Sequence, residues 1–355
     1  MKHLITGALT AALLTSTAAT AWAQDATYTL RATANSNEND EDYDGLVVFK
    51  NYVEAASNGA IEVEMFIGTQ LCATGEECLE GVAEGSIDIY IATSGGTASL
   101  FPFVQVLDLP YLMADDRVAE SVLDNGSPFI ATMRDMVRES SGDAIRLMTI
   151  GNTGGWRNVA NVNKTIHTPE DLAGLKIRTV PAELPQVLAT AWGAAPTAIP
   201  WPELFTSLQT GVVEGTANGI TDIMSMKFPD AGLKYLTLDQ HAYMGALWFM
   251  NNAKFMDMPE DMRKIVADGF YQLQQATFAS PKRKSIDAYA AFTAAGGEVY
   301  VPTPEEKQAF QDAAAPVQDW FRENVDGGPE ALDALLASVD AVNARLASEY
   351  ETELN

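Results

Sequence analysis

One arginine stands inside a short β-branched run, Lys176-Ile-Arg-Thr-Val180, whose composition predicts a strand. A charge in the middle of such a strand needs a partner, because burying it alone is costly. Its guanidinium offers a planar fork of donors that takes a carboxylate through two parallel charge-assisted hydrogen bonds. The competing partner is a neighbouring Asp or Glu, which would make Arg178 structural. A second arginine, Arg157, follows Gly151-Asn-Thr-Gly-Gly155-Trp156 and is either a second clamp or a surface residue beside that tryptophan. Asn35, Thr93, Ser94 and Asn218 sit where strands are expected to end, and polar groups there face a ligand in open α/β sheets.

Other chemistries lack their residues. The glycine-rich run is not followed by an amphipathic helix start, so a phosphate-cradling loop fails in context. G-x-S-x-G and H-E-x-x-H are absent, and past the first few residues only His167 and His241 remain, far apart. A hydrolase is therefore a weak alternative, and neither a metal cluster nor a cofactor is expected. Cys72 and Cys78, separated by a loop through Gly75, are expected to pair as a small local disulfide in an exported protein.

The elements that position these residues alternate. Tyr28 to Ala34 reads as a strand, followed by the polar run Asn35 to Asp42, expected to be a solvated loop and helix start. A helix over Tyr43 to Ala56, a strand over Ile61 to Phe66, a helix over Glu76 to Glu84 and a strand over Ile87 to Ile91 follow, with Thr93 to Gly96 as a tight polar turn. Ala144 to Ile150 reads as a strand ending in the glycine-rich turn. From Lys176 the order is strand, helix, Gly193, strand, helix, Gly211, strand. "Helix, Gly85-Ser-Ile-Asp88, strand, polar turn" is echoed by "helix, Gly211-Val-Val-Glu214, strand, Asn218", which suggests two α/β lobes. Pro259 to Ala295 is helical, with Pro281 expected to kink it.

Composition sets the compartment. Lys2, an apolar stretch from Leu4 to Thr15 and Ala21-Trp22-Ala23 form a cleavable secretory signal, residues 1–23. The net charge is −26 over 355 residues. Such an acidic chain repels nucleic acid and anionic membrane surfaces, and must place arginines locally to hold an anion.

Gly174-Leu-Lys-Ile-Arg178, Gly193-Ala-Ala-Pro-Thr197, Pro200 and Leu208-Gln-Thr-Gly-Val-Val213, with Gly215, form a long spaced pattern. It resembles the solute-binding subunits of TRAP transporters, the DctP-type family, over essentially the whole mature chain. The resemblance implies a two-lobed periplasmic binding protein fold, each lobe a mixed β-sheet flanked by helices, with a long kinked helix crossing both. It implies an N-terminal lobe of 24–150 plus about 243–280, and a C-terminal lobe of 151–242 plus about 281–355.

The same resemblance implies that Arg178 binds a carboxylate, that Arg157 lies in the cleft and that Asn218 follows the family's strand. The family's usual Gln-Glu-Asn-Pro is here Thr216-Ala217-Asn218-Gly219. Trp201 holds a position where the family places a ring against the ligand, although core packing would explain it equally, and Trp156, Tyr243 and Trp248 are further candidates for an aromatic lining. The implied protein is a monomeric periplasmic receptor of a Gram-negative bacterium, not an enzyme. It would capture a small organic anion and deliver it to small and large membrane subunits for ion-driven uptake. A ligand sensor for a membrane signalling partner would use the same fold.

Overall fold

The computed structural model describes residues 26–354; the secretory signal expected at 1–23 lies outside them. Among the described residues nine strands form one sheet: β1 (Tyr28–Ala34), β2 (Ile61–Ile67), β3 (Ile89–Thr93), β4 (Ile145–Asn161), β5 (Lys176–Thr179), β6 (Ala195–Ala198), β7 (Gly215–Asn218), β8 (Tyr235–Asn251) and β9 (Glu298–Tyr300). The order is β2-β1-β3-β8-β4-β7-β5-β6, with β9 beside β8.

The two long strands make this sheet two-lobed. β4 and β8 run antiparallel for 17 residues each. The first residues of β4 and the last of β8 carry the parallel set β2-β1-β3 through β8, while their opposite ends carry β7-β5-β6 through β4. Between the halves the pairing slips, between Asn152 and Trp156 and again between Arg157 and Val159. The glycine-rich segment expected to end a strand is therefore a bulged passage within one. Gly154 and Gly155 have φ of 72° and 83°, a conformation that glycine adopts without steric cost, and the chain bends there without leaving the sheet.

Helix Glu41–Ala56 packs on the long helix Glu260–Ala294, with Phe49 and Phe270 rings 4.5 Å apart. Gly269 allows the close approach, since a Cβ there would lie 2.6 Å from Val53 Cγ2. The long helix also meets β4, the short helix Ile220–Ser225 and β9, so it spans both halves, with Pro281 inside it. Apolar clusters lie on either side: Leu30, Phe49, Trp248 and Phe270 in one half, Leu204, Ile223, Phe228 and Phe292 in the other. The last helix, Gly328–Leu354, packs on helices Asp116–Leu123 and Pro128–Ser140, whereas the resemblance implied that it belongs with the C-terminal lobe.

Two local expectations are refined. The tight polar turn expected over Thr93 to Gly96 is a single turn of helix, Ser94–Thr97. The acidic run before the first helix is not solvated at its end: Asp40, Glu41 and Asp42 are buried. Asp40 caps the helix, its carboxylate accepting from the Asp42 N–H at 3.3 Å, and the helix N-terminus favours acids in this turn.

Candidate functional site

The carboxyl ends of β1, β3, β5 and β7 converge on one cavity of about 290 Å³. Its walls come from both halves: Asn35, Ser36, Asp40 and Asp42 after β1, Thr93 at the end of β3, Arg178 on β5, Trp201 beyond β6 and Asn218 on β7. Parallel strands leave room beyond their carboxyl ends because the chain must turn there into a helix. The halves touch at the rim, where Ala98 packs with Val180 and Ala182 and a Cβ on Gly95 would lie 2.0 Å from Val180 Cγ2. Asn37 Nδ2 also donates across to the Ser225 carbonyl at 3.3 Å.

Arg178 is 2% exposed. Its Nε donates to the Ile199 carbonyl at 2.9 Å and its Cζ lies 5.7 Å from the centre of the Trp201 ring. Its Nη2 has no hydrogen-bond partner, and no carboxylate of the described residues lies within ion-pair distance of it. Burial, and then the charge of Arg157, lower its pKa to about 9. Arg157 is differently placed. Its Nε donates to Asp108 Oδ1 at 3.2 Å and its Nη1 to the Ala217 carbonyl at 3.1 Å, and Ser94 donates to the other Asp108 oxygen at 2.5 Å.

Asn218 accepts from the Thr216 hydroxyl at 2.7 Å and donates to Asp222 Oδ2 at 3.1 Å. The unusual glycine after it has a steric reason: a Cβ on Gly219 would sit 1.6 Å from the Gly154 carbonyl oxygen. Of the residues singled out from sequence, Arg178, Arg157, Asn218, Trp201, Asn35 and Thr93 therefore share the cavity.

The remaining candidates lie elsewhere. Ser94 is buried behind the cavity on Asp108. Trp156 and Tyr243 are cross-strand partners in edge-to-face contact at 5.3 Å, and they line a separate pocket of about 160 Å³ with Pro281 and Lys282. Strand alternation accounts for this: Arg157 and Met244, the next residue along each strand, face the cavity, so Trp156 and Tyr243 face away. Trp248 is fully buried in the first half's core. The expected disulfide is present, with Cα atoms of Cys72 and Cys78 5.2 Å apart, and it closes the loop whose Ala73 to Glu76 form part of the wall.

Sequence reasoning missed a group of acids. Asp40, Asp42 and Asp222 line the cavity, and Glu41 lies just behind them with a carboxylate oxygen that can come within 4.8 Å of those of Asp40 and Asp222. Glu41 accepts from the Gly154 N–H at 3.3 Å, and Asp40 from the Thr153 hydroxyl at 3.1 Å. Burial, followed by mutual repulsion, pushes Asp42 and Asp222 well above the usual carboxylate range and Glu41 up to about 7. Asp40 rises through burial. The only sequence signal for them was a capping acid before a helical run.

Known proteins share this fold. Residues 32–324 match the family described as bacterial extracellular solute-binding protein, family 7. The 2,3-diketo-L-gulonate-binding periplasmic protein YiaO of Escherichia coli is 29% identical over 316 residues, 87% of this chain and 92% of that protein. The ectoine-binding periplasmic protein TeaA of Halomonas elongata is 28% identical over 86% of this chain and 89% of its own length. Among solved structures, a TRAP periplasmic solute-binding protein from Sulfurospirillum deleyianum with bound succinate superposes with a TM-score of 0.79 at 25% identity, covering 89% of this chain and 99% of its own. These proteins are solute receptors, and the chain belongs to the same family, the DctP-type solute-binding proteins of TRAP transporters.

Proposed function

We propose that this receptor captures a small organic carboxylate in the cavity between its lobes, with Arg178 as the residue that takes the carboxylate. The supporting observation is a buried guanidinium with an unpartnered Nη2 on the wall of a ligand-sized cavity. A carboxylate there supplies both the missing acceptor and the missing countercharge. Arg157, already paired with Asp108, shapes the site and adds field, and Asn218, Trp201, Asn35 and Thr93 complete the wall. Relatives point the same way: the Sulfurospirillum protein holds succinate, and a receptor from Bordetella at 27% identity carries density attributed to pantoate.

In this reading the first lobe comprises 24–150 and about 243–280, and the second 151–242 with the segment from about 281, the last helix returning to the first lobe. Ligand contacts from both lobes favour the closed arrangement, and the slipped pairing around Gly154 absorbs the dihedral change on opening. The loaded receptor, in the periplasm, passes its solute to TRAP membrane subunits. It carries out no chemistry on the solute. No helix of the described residues is long and apolar enough to cross a membrane.

Thermal unfolding of the ligand-stripped mature protein against a panel of organic acids tests this. A ligand at about a thousand times its Kd adds roughly 4 kcal/mol to native stability, a clear upward shift. A panel in which no carboxylate shifts the protein contradicts the reading.

A further inference from the structure

The cavity of an anion receptor should be positive, and this one is not. Arg157 is neutralised by Asp108, which leaves Arg178 as the unpaired cation against Asp40, Asp42 and Asp222 on the same cavity. Wherever these acids are ionised, a second carboxylate beside them would bring like charges together in a low-dielectric space.

The acids are concentrated on the first-lobe side, around the start of helix Glu41–Ala56, with Asp222 joining them from the second lobe. Asp42 is 7% exposed and its Oδ1 makes no well-formed hydrogen bond; the equally buried Ser36 hydroxyl lies beside it on the same wall, near enough to hold the Asp42 carboxyl down against its burial. A buried acceptor left unpaired is unfavourable by roughly 1–3 kcal/mol, so such groups are found where something else fills the space. One wall thus has an unmet donor in Arg178 and another has a buried acceptor in Asp42 whose only side-chain neighbour of that kind is the Ser36 hydroxyl.

We infer that the solute is a zwitterion: its carboxylate lies on Arg178 and its ammonium or similar cationic nitrogen lies on Asp42, assisted by Ser36, Asp40 and Asp222. This rests on the carboxylate reading above and narrows it. A cationic nitrogen among the acids supplies donors to Asp42 and Ser36 and relieves the repulsion between Asp42, Asp40 and Asp222. It also joins the two lobes through one molecule, because Arg178 belongs to the second lobe and Asp42 to the first. Burial holds Asp42 and Asp222 toward their protonated forms in the ligand-free protein, and an arriving cation offsets this by stabilising the ionised forms, so its binding releases protons.

Calorimetric titration with chain-matched probes tests the inference: L-aspartate and γ-aminobutyrate against succinate, and δ-aminovalerate against glutarate, each in buffer with EDTA. The expected result is that at least one amino acid binds about tenfold or more tighter than its matched diacid, equivalent to about 1.4 kcal/mol. Asp42→Asn should remove that preference while leaving the diacid's affinity equal or higher. Ser36→Ala, which takes away a hydroxyl and no charge, should reduce the preference in the same direction and guards against a folding defect in the first variant. Diacids binding as tightly as amino acids, or a preference unchanged in Asp42→Asn, would overturn the inference while leaving the carboxylate reading intact. Binding of a diacid that appears only when calcium replaces EDTA would also overturn it, by placing a metal ion among the acids. If neither class binds the folded protein, the carboxylate reading falls and the zwitterion falls with it.

Discussion

Arg157 Nε lies 3.2 Å from Asp108 Oδ1, with both side chains less than a tenth exposed. This buried pair links β4 to the 3-10 turn Pro102–Asp108, with Arg157 on the cavity wall. It separates the roles of two arginines that look equivalent in the sequence. Arg157 has an acid within the protein, and Arg178 has none among the described residues.

Truncation of Arg157 should therefore damage the fold more than the site. Arg157→Ala leaves Asp108 buried with only the Ser94 hydroxyl and removes the bond to the Ala217 carbonyl. Breaking one side of a buried pair typically destabilises by about 3–5 kcal/mol. Urea unfolding of the ligand-free protein should show a loss of that order. A loss under about 1 kcal/mol, the range of an exposed pair, would mean that the pair is effectively solvated.

Acidity should stabilise the empty receptor over a defined range. Glu41 has a pKa near 7 in the folded protein against 4.5 when unfolded, because of burial and then Asp40. The folded state therefore binds more protons than the unfolded state between these values, and stability falls as pH rises through them. The stabilising contribution is fully present below 4.5 and is lost above about 7. Asp40, Asp42 and Asp222, which rise for the same reason, add to the trend in the same direction, while Lys284 opposes it at Asp40 and Glu41. Melting temperature against pH should slope downward over that interval in the wild type and less steeply in Glu41→Gln. Equal slopes would show that Glu41 ionises normally.

The disulfide should matter locally. Joining Cys72 and Cys78 closes a short loop, and in the chain-entropy account this contributes about 2 kcal/mol. Cys72→Ser with Cys78→Ser should lower stability by about that amount and weaken solute binding as well, because Ala73, Thr74, Gly75 and Glu76 belong to the cavity wall. A drop in stability with unchanged affinity would confine the bond to a structural role.

Much of this molecule was legible in its residues. The alternation of strand, helix and glycine around Arg178 follows short-range rules, and the second-lobe order emerges from it directly. Arg178 itself was legible because a charge inside a β-branched strand is anomalous. The long strand β4 was not, since Gly151 to Gly155 carry the composition of a turn and only pairing with β8 keeps the chain extended. The acids were hidden for a related reason. Asp40 to Asp42 look like a solvated helix start, and Asp222 approaches them only through the tertiary fold. Trp156 and Tyr243 were candidates for an aromatic lining, yet strand alternation turns them to the opposite face.

The most direct test is calorimetric titration of the best carboxylate from the thermal screen into wild-type protein and Arg178→Ala, with a thermal melt of each ligand-free protein. Losing one partner of a buried, hydrogen-bonded charge pair costs about 2–5 kcal/mol, so the variant should bind at least about thirtyfold more weakly. Its ligand-free melt should be unchanged or higher, because the substitution removes a buried cation that has no acid within ion-pair distance among the described residues. Wild-type affinity in Arg178→Ala, or an unfolded variant, would contradict the account by making this arginine part of the scaffold.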